Sequence, residues 1–139
     1  MFTIFVPEKI FNFNLIRYIN LFCMKNMGFV DAVKSVVVEN YANFNGRARR
    51  SEYWYYTLAS FIAGFICGLL PIPFIATLLS LALFIPSLAV SVRRLHDIGK
   101  SGWMYLLILI PIVGAIILLV WFCQDSQPGE NKWGANPKE

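Results

Sequence analysis

Uncharged runs dominate the second half of the chain. Between Glu52 and Arg93 no residue is charged, a gap long enough for two membrane crossings at ~20 residues each. Pro71-Ile72-Pro73 divides it, because proline lacks the N–H donor that a helix needs and disfavours helix in the residue before it. The pattern predicts one helix over about 53–70, a tight turn, and a second helix over about 74–92. A third uncharged run extends from Ser101 to Gln124 and predicts a helix over 103–122. Its thirteen Leu, Ile, Val and Phe residues each favour insertion by roughly 0.3–0.6 kcal/mol. Pro86 and Pro111 lie inside the second and third of these helices and are expected to bend them, with neighbouring groups taking up the freed carbonyls.

Ahead of these runs the pattern changes. Phe29, Val30, Val33, Val36, Val37 and Tyr41 fall on one side of a helix, and Asp31, Lys34, Ser35 and Glu39 on the other. Such a segment predicts a short amphipathic helix lying along a membrane interface. Within the first long helix, Ser60, Gly64 and Gly68 recur every fourth residue. Small residues at that spacing let a second backbone approach closely, either within the chain or across a homodimer. Tyr53 to Tyr56, Trp103, Tyr105 and Trp121 border the apolar runs, where amphipathic rings prefer the headgroup level. The expected architecture is all-α: an integral membrane protein with three transmembrane helices preceded by a short amphipathic interfacial helix. Residues 27–124 form the membrane domain and 125–139 a polar C-terminal tail, expected to be largely irregular. Residues 1–26 are apolar but interrupted by Glu8, Lys9 and Arg17, and match neither a crossing nor a signal peptide. They are read as a non-native or disordered extension, with Met24 or Met27 as alternative starts.

Composition agrees with this reading. Of 139 residues 58% are hydrophobic and 14% charged, against about 25% charged in an average soluble domain. The net charge of +4 is assigned to orientation and anionic lipid rather than to nucleic acid. Counted from Met27 and with three crossings, seven bases (Lys34, Arg47, Arg49, Arg50, Arg93, Arg94, Lys100) fall on one side and two (Lys132, Lys138) on the other. The amino terminus is then cytoplasmic and the carboxyl tail outside. Cys23, Cys67 and Cys123 form no CxxC pair, and with the single His96 they give no basis for a metal site or a cofactor.

Candidate chemistry collects at two basic stretches, Asn45 to Trp54 and Arg93 to Trp103, expected at the same boundary. Arg47, Arg49, Arg50, Arg93, Arg94 and Lys100 are candidates for holding an anionic headgroup or a phosphate, since guanidinium forks bind such groups through two points. Glu52, His96 and Asp97 are their expected charge partners, with Arg93 or Arg94 opposite Glu52. His96 beside Asp97 suggests a base with its orienting acid, but consecutive helical residues point apart and no nucleophile pattern accompanies them, so no catalytic residue is assigned.

Three ordered stretches, NFNGRARRSEYW, VSVRRLHDIGKSGW with the following LIPIVG, and PGENKWG, resemble the domain of unknown function family 805, small bacterial inner-membrane proteins. The resemblance runs from about Phe29 to Pro137 and implies a multi-pass protein of the inner membrane, with no activity attached. Three roles remain open. A non-catalytic packing, adaptor or anionic-lipid-binding protein leads, with membrane lipids and a second copy or another membrane protein as partners. The alternatives are a component of a transporter or channel, and a membrane-bound enzyme acting on a phosphorylated or lipid-linked substrate.

Overall fold

The computed structural model describes residues 27–138; the extension read over 1–26, with Cys23 and the alternative starts, lies outside the described residues. Helices are the regular elements among these residues, with one isolated antiparallel bridge between Asn131 and Gly134 in the tail. Helix α1 covers Phe29–Lys34 and runs into a wider π turn over Ser35–Glu39, closed by the Asn40 N–H on the Ser35 carbonyl at 2.9 Å. It turns Ala32 and Val36 inward while Val30 stays open, so only part of the expected apolar face is covered.

Helix α2 spans Arg50–Leu69 and α3 spans Pro73–Asp97. The Pro71-Ile72-Pro73 break separates them, and Pro73 opens α3 where a missing N–H costs nothing. At 1.5 Å per residue the two are about 30 and 37 Å long, close to the ~30 Å hydrocarbon thickness of a bilayer. Among the described residues α3 alone is long and apolar enough to cross a membrane by itself. Pro86 stays inside α3, and its ring deprives the Ala82 carbonyl, four residues back, of a partner. The hydroxyl of Tyr41 donates to that carbonyl at 2.5 Å, and Tyr56 donates to the next one, Leu83, at 3.0 Å.

The third apolar run is not one helix. A 3₁₀ helix over Gly102–Leu109 is followed by a reversal, and α4 begins only at Val113 and ends at Cys123. Each limb is about 16 Å long, half of what a crossing needs. Pro111 supplies no N–H to continue the first limb, and Ile112 adopts φ 66° and ψ −66°. The Val113 N–H then reaches the Pro111 carbonyl at 2.8 Å, which closes a γ-turn. The Ile110 and Ile112 carbonyls accept from Gly114 and Ile116. The limbs close tightly at Gly114, where a Cβ would stand 1.7 Å from the Leu107 carbonyl oxygen. The run therefore goes out and returns.

Two small buried clusters, Val36 with Ala48, Tyr56 and Val90, and Leu95 with Leu118 and Phe122, sit at the end where α2 begins and α3 finishes. Away from that end apolar side chains stand open, with Phe61 71%, Leu69 71% and Phe74 70% exposed. Gly64 and Gly68 meet nothing within 4 Å of a Cβ built on them, so their stripe brings no second backbone close within this chain.

Candidate functional site

Asp97, the last residue of α3, anchors the polar end of the molecule and is fully buried. One carboxylate oxygen accepts from Arg47 Nε at 3.0 Å. The other accepts from Arg94 Nη1 and, at 2.6 Å, from the Ser126 hydroxyl. A buried carboxylate survives only when its charge is met and its lone pairs are filled, and Asp97 satisfies both conditions with two guanidinium groups. Its own carbonyl accepts from Arg47 Nη2 at 3.0 Å and from the Gln127 N–H at 2.9 Å.

The two arginines then gather the tail. Arg47 donates to the carbonyls of Gln127 at 2.6 Å and Gly129 at 2.8 Å. Arg94 donates to Phe122 at 3.2 Å and to Gln124. Asn131 Nδ2 reaches the His96 carbonyl at 2.9 Å, and the Trp133 ring stacks on His96 with centroids 4.5 Å apart and planes 8° from parallel. The tail thus packs on the segment preceding α2, at the same end of the molecule. Three through-going helices would set it at the opposite end; the reversal at Pro111–Val113 brings it back.

Arg47 and Arg94 are therefore consumed by structure. His96 and Asp97 do not act as a pair: His96 Nδ1 faces the Gly46 carbonyl at 3.1 Å, which fixes the proton on that nitrogen because a carbonyl only accepts. Arg50 is exposed and meets the Cys123 carbonyl at 3.2 Å, and Lys100 Nζ lies 4.4 Å over the Trp121 ring. The six candidate cations do not converge on one point.

Arg93 and Arg49 lie on another side of this end. Arg93 Nη1 bonds Glu52 at 2.9 Å, the partnership expected for Glu52, and the Ser35 hydroxyl donates to the same oxygen at 3.1 Å. Both arginines line a cleft of about 510 Å³ together with Lys34, Asn40, Asn45 and Glu52. Lys34, Asn40 and the tail residues Gln127, Asn131 and Trp133 are not among the site candidates of the sequence; the polar face of α1 points to Lys34 and the PGENKWG stretch to Asn131 and Trp133, and no pattern points to Asn40 or Gln127. Among the described residues no group of three His, Cys, Asp or Glu side chains is placed to hold a metal ion.

The model of the family described as protein of unknown function (DUF805) matches residues 41–135. The inner membrane protein YhaI of Escherichia coli (strain K12) is 44% identical over 108 residues, which cover 73% of this chain and 92% of that relative. The inner membrane protein YhaH of the same strain is 42% identical over 112 residues, covering 73% and 93%. No solved structure matches the chain.

Proposed function

This chain belongs to the DUF805 family, and from that starting point we propose that it is a non-catalytic binding protein of the bacterial inner membrane, built to hold a folded polar head against the cytoplasmic face. In this reading α2 and α3 cross as a hairpin, the 3₁₀ limb and α4 dip into the bilayer and return, and both described ends of the chain stay in the cytoplasm. The observation that carries it is the clasp of Arg47, itself held by Asp97, on the tail carbonyls, which ties the three motifs into one body. Every described lysine and arginine then lies at the head end, and the turn at Ile72 carries none, so the positive-inside rule favours a cytoplasmic head. The turn at Pro111–Val113, whose Ile110, Pro111 and Ile112 carbonyls accept from N–H groups of the following limb, supports the re-entrant limb, because irregular backbone in hydrocarbon must find its partners within the protein. The inner-membrane relatives support the location.

Single cysteines at Lys100, Glu130 and Ile72, in a protein freed of its own cysteines, test the arrangement. In spheroplasts a membrane-impermeant thiol reagent should label position 72 alone, and in inverted vesicles positions 100 and 130. Labelling of position 130 from outside would restore a third crossing and separate the tail from the head.

A further inference from the structure

The cleft beside α1 contains a buried arginine whose hydrogen bonding is incomplete. Arg93 is 3% exposed. Its Nη1 is committed to Glu52, whereas Nε and Nη2 have no hydrogen-bond partner. Those two nitrogens form the side-on edge of the guanidinium, with parallel N–H bonds at the spacing of two oxygens on one phosphorus or carbon. Leaving charged donors buried and unmet is unfavourable, so the geometry asks for an acceptor with two oxygens.

The surroundings favour a phosphoryl group. Arg49, also buried, lines the same floor, and Glu52 is the one carboxylate at that depth, already occupied by Arg93 and Ser35. Asp31, Lys34 and Glu39 stand at the exposed mouth, where water and salt screen their charges. Helix α2 starts at this floor with no side chain capping its first turn, so its unpaired N–H groups add positive potential beside Arg93. A phosphate offers more acceptor oxygens than a carboxylate, enough for the Arg93 edge and for a second donor.

We infer that this cleft binds a phosphoryl group through the Nε–Nη2 edge of Arg93, supplied either by a phospholipid headgroup at the membrane surface or by a soluble phosphate. The inference rests on the reading of this end as a binding head, but it makes no use of which side of the membrane the head occupies. Binding to detergent-solubilised protein therefore tests it separately from topology.

Two probes are used, inorganic phosphate by calorimetry and phosphatidylglycerol by native mass spectrometry. The wild type should bind at least one of them. Arg93→Lys keeps the charge opposite Glu52 but lacks the two-point edge, and should weaken that binding about tenfold or more. Arg50→Gln, outside the cleft, should leave it unchanged. Glu52→Gln keeps an oxygen for Ser35 while removing the competing charge, and should tighten binding several-fold; it decides the matter if Arg93→Lys fails to fold. Dependence on Arg93 with phosphatidylglycerol alone identifies a headgroup site, and the same dependence with inorganic phosphate identifies a soluble ligand. Absence of binding by the wild type to both probes overturns the inference. So does wild-type affinity in a folded Arg93→Lys variant, or unchanged or weakened binding in Glu52→Gln.

Discussion

At the head end of the molecule Arg94 and Asp97 are sealed from solvent, whereas along the α2–α3 hairpin Phe61, Leu69 and Phe74 stand open. In water this would be an inverted protein, since large contiguous apolar surfaces are rare on soluble monomers. In the proposed topology these apolar side chains face hydrocarbon and need no cover, and the hairpin is joined by a few contacts such as Tyr41 on the carbonyl freed by Pro86 and Tyr56 on its neighbour, Leu83. In that topology the head lies where hydrocarbon gives way to water and must close on itself. Its charges are buried only because each is met: Asp97 by Arg47 and Arg94, Glu52 by Arg93. Tolerance to substitution should therefore run opposite to the intuition from soluble proteins, with charged positions fragile and large apolar ones forgiving.

The largest effect is expected at Asp97. Asp97→Ala leaves two buried guanidinium groups without a counter-charge and releases Ser126 and its neighbours. Breaking one partner of a buried ion pair costs about 3–5 kcal/mol. Loss of cooperative unfolding in detergent, together with rapid proteolysis of residues after Gln124, is the expected outcome. A variant that unfolds like wild type would show that the tail is not clasped by this carboxylate.

Next comes the joint between the 3₁₀ limb and α4. Gly114→Ala would place a methyl group against the Leu107 carbonyl, backbone that has little room to yield, and overpacking of this kind costs typically 1–3 kcal/mol. A lowered Tm with the hairpin topology intact is expected. This joint is also where sequence reading fell short. The run over 103–122 has the length and apolar content of a crossing, and hydropathy carries no information on whether a chain passes through or turns back. Pro111 alone is common inside membrane helices. The decisive facts are the close approach at Gly114 and the grip of Arg47 and Arg94 on tail carbonyls, which join residues about 30 to 80 positions apart and leave no periodic trace. By contrast the hairpin around Pro71-Ile72-Pro73 and the Glu52–Arg93 pair were legible, because local proline chemistry sets the first and the cost of a lone acid beside an apolar run sets the second. Of the candidate cations, sequence could not separate Arg47 and Arg94, which hold the head together, from Arg93, which retains two buried donors without partners.

A smaller effect is expected on the outward side of α2. Gly64→Ala and Gly68→Ala add methyl groups that meet nothing within the chain, and alanine is favoured over glycine inside a helix by roughly 0.5–1 kcal/mol. Stability in detergent should stay level or rise slightly for both. A clear loss, accompanied by a change of mass in size-exclusion chromatography, would reveal a second copy packed on this stripe and would sharpen the contrast between the two regions by giving the hairpin a protein partner.

The smallest effect lies at the rim of the head, where Asp125 is exposed and meets Lys138 and, at 3.7 Å, Arg50. The hydrogen bond from Lys138 holds the Asp125 carboxyl below its ordinary range, helped by the Ser126 N–H. A carboxylate whose folded pKa is depressed adds stability above its unfolded pKa and loses it as pH falls through the folded one. The direction is therefore destabilisation on acidification, but an open pair of this kind is worth about 0–1 kcal/mol and weakens in salt. Lys138→Ala should raise the Asp125 pKa, read from its carboxyl carbon by NMR, while the Tm at neutral pH barely moves. A Tm loss comparable to that of Gly114→Ala would mean that the fragile, charge-held region extends to the surface of the head, beyond the residues it buries.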